Sequence, residues 1–196
     1  ITLHELGHSL AAMAFGCRVR DITLTMLGGC ATLLAMPRKA WQEFLVAIAG
    51  PAASLALALF GLLTPAWTCR DGSLYFRNTL GAFLFFEVGI LNAVLFVFNL
   101  LPAFPMDGGR ILRAFLQQFF MSRVKATWVA SRIGRVIAVL MALSVVAVPL
   151  KKKAHGFMLI RLMIAGFIYQ SAEREYRTVL FESRAGGGFG GFGPPP

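Results

Sequence analysis

The chain has 196 residues, of which 57% are hydrophobic and only 14% charged. A soluble domain carries about 25% charged residues, so this composition excludes an ordinary water-surrounded globule and implies a lipid environment. The formal net charge of +10 would suggest nucleic acid in a soluble protein. Here the cations gather between apolar runs, as in loops that face anionic lipid, so the bilayer is the expected partner and nucleic acid is not.

Residues 1–16 are apolar apart from one polar motif and read as the second half of a helix whose first half precedes Ile1. In residues 18–37, Ile22, Leu24 and Met26 alternate with Thr23 and Thr25, Gly28-Gly29 suits a tight turn, and a second short apolar stretch runs from Cys30 to Met36. This pattern predicts a β-hairpin. It is too short to cross a bilayer, and its edges need cover from protein or water at membrane depth, so it is expected to be re-entrant. Residues 44–63 carry no charge and match the roughly 20 residues that span a bilayer. Residues 79–101 form a second run, interrupted only by Glu87, Asn92 and Asn99. Residues 110–120 place Ile111, Leu112, Phe115, Leu116 and Phe119 on one side and Arg110, Arg113 and Gln117 on the other. That predicts an amphipathic helix on the cytoplasmic surface. Residues 133–150, with Arg135 near the edge, and 154–172, which include Arg161, complete the apolar runs. The Gly-, Phe- and Pro-rich end, 185–196, is expected to be disordered.

The expected fold is therefore an all-α polytopic membrane bundle of about five transmembrane helices with a small re-entrant β-hairpin, residues 1–184 forming one core. Lys and Arg mark cytoplasmic loops. Arg38 and Lys39, and later Arg110, Arg113, Arg123 and Lys125, put both of those loops inside and 65–78 outside. Lys151 to Lys153 fall on the outer side against the rule. Cys17, Cys30 and Cys69 form no CxxC pair, which argues against a disulfide framework and against a cysteine zinc site.

His4-Glu5-Leu6-Gly7-His8 is an HExxH sequence. On a helix, residues i and i+4 share a face, so two imidazoles can grip one Zn²⁺ while the intervening Glu acts on water. A solvated helix surface is the bland alternative. It fares poorly in an apolar helix, where ionisable residues are costly and default to function. A catalytic zinc takes three protein ligands. The soluble solution, a downstream Glu with an Asp four residues on, fails because Ala47 follows Glu43 and Leu91 follows Glu87 at that distance. Asp107 lies in a segment where Pro102, Pro105, Gly108 and Gly109 interrupt a helix. Unwound backbone at membrane depth is expensive unless it lines a site; the alternative is a loop just past a helix end.

HELGH followed far downstream by NLLPAFPMDGGR resembles the site-2 protease family of intramembrane zinc metalloproteases. Asn99, Pro102, Pro105, Asp107 and Gly108 match the family's second motif position by position, and Leu27-Gly28-Gly29 and Ala49-Gly50-Pro51 look like further family features. The resemblance implies that His4, His8 and Asp107 hold one Zn²⁺ per chain and that Glu5 is the general base. Asn99 would orient the substrate or stabilise the oxyanion. It implies a multi-pass protein with its active site toward the cytoplasm, cutting a peptide bond within or near the transmembrane segment of a membrane protein. The substrate helix would first unwind and add to an edge of the hairpin. No PDZ-like domain is inserted between the motifs, and no CBS pair follows Arg184, so the chain is expected to be a trimmed core or a minimal branch. The alternatives are a CAAX-type membrane zinc protease, which uses a downstream Glu ligand, and an inactive relative acting as a membrane scaffold.

Overall fold

The computed structural model describes residues 1–17, 19–25, 28–33, 39–68, 80–147 and 155–188, in two compact units, Ile1–Leu101 and Pro102–Pro196. The first unit contains α1 (Thr2–Ala14), β1 (Val19–Thr25), β2 (Gly28–Leu33), α2 (Ala40–Thr68) and α3 (Leu80–Asn99). Helix α1 stops at Gly16, whose φ of 77° is open to glycine at no steric cost. The Gly16 amide donates to the Met13 carbonyl at 2.9 Å and the Cys17 amide to the Ala12 carbonyl at 3.0 Å, the paired bonds of a Schellman ending. The Cys17 thiol just beyond is free and half-buried.

Strands β1 and β2 pair antiparallel, with Thr25 opposite Gly28 and a register irregularity between Val19 and Asp21. Gly28 and Gly29 were expected to make the turn, but they lie in β2, opposite Thr25 and Leu24. The pairing leaves two residues, 26 and 27, between the strands, and two is the commonest length of a hairpin connection. Both strands touch α1.

Small residues bring the helices of this unit together. A Cβ on Gly7 would stand 2.8 Å from the Ala49 carbonyl oxygen, and one on Gly61 would stand 2.5 Å from the Phe85 carbonyl oxygen. α1 therefore packs backbone-close on α2, and α2 on α3, the mode expected where lipid gives no hydrophobic drive between helices. Asn92, one of the polar interruptions of the run at 79–101, donates to the Val88 carbonyl of its own helix at 2.8 Å. An amide one turn from an i−4 carbonyl needs no second helix to be satisfied.

The second unit contains α4 (Asp107–Phe119), α5 (Arg123–Ala147) and α6 (His155–Gly188). α5 begins ten residues ahead of the apolar run at 133. α6 carries on into the glycine-rich end, so residues 185–188 are helical where disorder was expected. A helix already propagating adds residues more easily than it starts. The end of that tail, 189–196, and Lys151 to Lys153 lie outside the described residues. Ala103 packs with Ala138 and Ile168, and Phe104 with Ala130 and Ala172. The segment ahead of α4 is thereby wedged against α5 and α6.

α4 corrects the amphipathic expectation at one residue. Arg113 is fully buried, donates to Glu175 on α6, and stacks 5.3 Å from the centre of the Phe104 ring. The opposite side presents Phe115, Phe119 and Phe120 to the exterior. A charge pattern read along one helix cannot reveal an anion that a different helix brings to it. Removing one anionic partner of a buried arginine weakens the compensation of its charge. Glu175→Ala is therefore expected to lower stability by about 3 kcal/mol, measured as a fall in thermal midpoint in detergent; an unchanged midpoint would show that the pair is dispensable.

Size and burial run opposite to a soluble core. The buried apolar side chains are mostly alanines, while Phe83, Leu91, Val97, Leu140, Leu143 and Met163 are exposed. Exposed apolar surface on this scale marks a surface that is not meant for water. Among the described residues, Ala40–Leu63 and Arg123–Val145 are long and apolar enough to cross a membrane, and Phe83–Asn99 is a shorter apolar helix.

Candidate metal centre

The HELGH motif falls on α1, as its spacing requires. His4 and His8 are both buried, and Glu5 beside them is half-buried. The His8 Nδ1 lies 2.7 Å from the Val46 carbonyl oxygen. A carbonyl can only accept, so Nδ1 carries the proton and Nε2 is the ring's lone-pair nitrogen in the neutral form. The His4 Nδ1 lies 2.9 Å from Ser54 Oγ. With Nδ1–H donating to that hydroxyl, His4 has the same tautomer. Both outward nitrogens then turn toward each other, Nε2 to Nε2, at 3.2 Å.

That separation tests the pair as metal ligands. Two nitrogens about 2.0–2.1 Å from a tetrahedral zinc span an edge of about 3.3–3.4 Å. The pair matches this edge, so the two Nε2 atoms are placed to share one cation. A ligating histidine ordinarily gives its other N–H to a carbonyl, carboxylate or water, which fixes the ring and raises its basicity. Val46 and Ser54 supply such partners from α2. Their backbone neighbour Gly50 makes room: a Cβ there would stand 2.1 Å from His8 Nε2. The small residues 50–54 thus act through helix approach and ring placement.

Val46 and Ser54 were the parts that motif reading did not find. Ser54 could have been suspected as a hydroxyl in an uncharged run, where each polar group needs a partner. Val46 carried no signal, since only its carbonyl takes part. Glu43, set aside in the search for a third ligand, is buried in the first turn of α2. An anion is favoured there by the helix dipole. Losing the His4 partner should matter: Ser54→Ala is expected to weaken zinc binding about 10- to 100-fold, read by competition against a chelator, with unaltered affinity counting against the positioning role.

In the second unit Asp107 is buried at the first position of α4, with Met106 as the preceding cap. Gly109 sits where a Cβ would come within 2.8 Å of both the Ala103 carbonyl carbon and the Phe104 nitrogen. The Pro-rich segment and the helix start are thus pressed together, and that contact holds the carboxylate's backbone in place. Asn99 closes α3 and is half-buried.

The sequence matches Peptidase family M50 over residues 1–69 and 67–141. The chain belongs to Peptidase family M50. It is 34% identical over 186 residues to the zinc metalloprotease MJ0392 of Methanocaldococcus jannaschii, covering 93% of this chain and 49% of that protein. It is 40% identical over 135 residues to the putative zinc metalloprotease sll0528 of Synechocystis, covering 69% of this chain and 34% of that protein. Among solved structures it resembles the site-2 protease from Methanocaldococcus jannaschii with a TM-score of 0.64 at 33% identity, covering 90% of this chain and 73% of that one. The chain thus spans about a third to a half of the length of these two curated relatives. M50 membership agrees with the HExxH helix, the apolar helices and the small-residue packing already described.

Proposed function

We propose that this M50 chain is a zinc-dependent intramembrane endopeptidase that cuts membrane proteins within or near a transmembrane segment. The observation that carries the reading is the histidine pair: two buried imidazoles on α1, each with its Nδ1 engaged by α2, present their Nε2 atoms 3.2 Å apart. In this reading His4, His8 and Asp107 hold one zinc. When bound, zinc supplies a Lewis acid that polarises the scissile carbonyl and makes water acidic enough to ionise near neutral pH. Glu5 takes the water proton and delivers it to the departing amine, which an amide nitrogen needs in order to leave. Asn99 orients the substrate or stabilises the oxyanion. The same reading gives about five membrane spans, a re-entrant β1–β2 pair and an active site toward the cytoplasm.

The third ligand separates this function from the CAAX-type alternative. Asp107→Ala is expected to lose zinc and cleavage together, while Glu87→Ala keeps the metal; zinc content by metal analysis and cleavage of a reconstituted membrane substrate measure both. Zinc lost from the Glu87 variant and kept by the Asp107 variant would overturn the assignment in favour of the CAAX-type arrangement.

A further inference from the structure

Outside the metal centre, a cavity of about 240 Å³ lies between α5 and α6, lined by Arg132, Arg135, Val136, Val139, Leu140 and Tyr169. Its lining divides along the helix axes. Along α5 the last charged residue is Arg135, and 136–147 carry none; on α6 residues 162–172, beyond Arg161, carry none and charge resumes at Glu173. Arg135 Nη1 donates to Glu173 at 2.9 Å, so the two helices change from apolar to charged at one level. Tyr169 sits one turn to the apolar side of that level, where an aromatic ring with a polar tip marks a membrane–water interface. Val136, Val139 and Leu140 are exposed beneath it.

The charges at this level do not cancel. Glu173 also accepts from Arg177 at 2.8 Å. Its carboxyl is held below the usual range, first by that bond and then by Arg135 and Arg132, against the opposing effect of burial. One carboxylate thus faces three guanidinium groups. Arg132, which lines the cavity, stacks 5.1 Å from the centre of the Trp128 ring. The buried Nε of Arg135 has no acceptor among the described residues.

We propose that this cavity binds the headgroup of an anionic glycerophospholipid, its phosphate taken by Arg132, Arg135 and the Tyr169 hydroxyl and its acyl chains lying along Val136, Val139 and Leu140. Guanidinium is suited to phosphate because its planar fork pairs two donors with two oxygens. Surplus positive charge selects an anionic headgroup over a zwitterionic one. The apolar continuation of the lining selects a lipid over a free anion. The site stands apart from the proteolytic reading and needs only that these helices contact a bilayer.

The test uses the full chain, delipidated in detergent and titrated with phosphatidylglycerol or phosphatidylcholine, with bound lipid counted by native mass spectrometry. Wild type is expected to hold one phosphatidylglycerol about tenfold more tightly than phosphatidylcholine. Arg132→Gln, at an exposed position that leaves the Arg135–Glu173 pair intact, should erase that preference. Arg174→Gln, an equal change of charge at an exposed residue outside the lining, should keep it. Millimolar glycerol phosphate should not displace the lipid. Equal binding of the two lipids, equal loss in both variants, or displacement by glycerol phosphate would each overturn the proposal.

Discussion

Replacing Glu5 by glutamine is expected to slow peptide-bond cleavage by about a hundred- to ten-thousandfold while leaving the zinc in place. The reason is a division of labour along one turn of α1. His4 and His8 point their Nε2 atoms at each other, and their Nδ1 atoms are engaged by Ser54 and the Val46 carbonyl. Neither contact involves Glu5. The glutamine variant keeps the length and shape of the side chain and loses only the ability to take and return a proton. Losing a positioned base costs about 3–5 kcal/mol of transition-state stabilisation. Single-turnover cleavage of a membrane substrate, with zinc measured on the same sample, reads both quantities. A variant that loses metal and activity together would make Glu5 a structural or ligating residue, and one that cuts at the wild-type rate would remove it from the chemistry.

The parts of this site that could be read in the sequence are those whose chemistry is local. HELGH is one helical turn, so its two imidazoles and its carboxylate follow from spacing alone, and a polar motif in an apolar helix already demands a function. What holds the imidazoles did not show. Ser54 is 50 positions from His4, and the Val46 carbonyl is 38 positions from His8; a backbone oxygen has no letter in the sequence. The same distance problem hid the true setting of Arg113. Within residues 110–120 it falls on the polar side, yet it pairs with Glu175, 62 positions away, and the arginine is drawn inside. The long apolar runs located α2 and α3 to within a few residues. They missed the start of α5, because its first turns carry Arg123, Lys125 and Arg132 and so resemble a loop in composition. Glycine was legible as special, but not in its role. Gly28 and Gly29 read as a turn and are strand residues, whereas Gly50, legible only as part of a family-like Ala49-Gly50-Pro51, bears on the His8 ring.

Gly50 therefore provides the sharpest structural test of the metal centre. A methyl group at that position would lie 2.1 Å from His8 Nε2, 2.5 Å from Cε1 and 2.6 Å from Cδ2. No rotation of the methyl relieves such contacts, because Cβ is fixed by the backbone. Either the ring swings away from its place or α1 separates from α2, and the second is resisted by Gly7, which sits backbone-close against Ala49. A displaced ring loses the 2.7 Å bond to the Val46 carbonyl, and with it the 3.2 Å match to His4. Gly50→Ala is thus expected to weaken zinc binding by about a hundredfold or more and to abolish cleavage with it. The helix itself should survive: alanine raises helix propensity by about 1 kcal/mol relative to glycine, which offsets part of the roughly 1–3 kcal/mol cost of overpacking. Gly166→Ala is the matching control, because a Cβ there meets nothing within 4 Å, and it should leave zinc affinity unchanged. Circular dichroism separates loss of metal from loss of fold. Wild-type zinc affinity in the Gly50 variant would mean that His8 can ligate from another position, and the pairing of α1 with α2 would no longer explain how the metal is held.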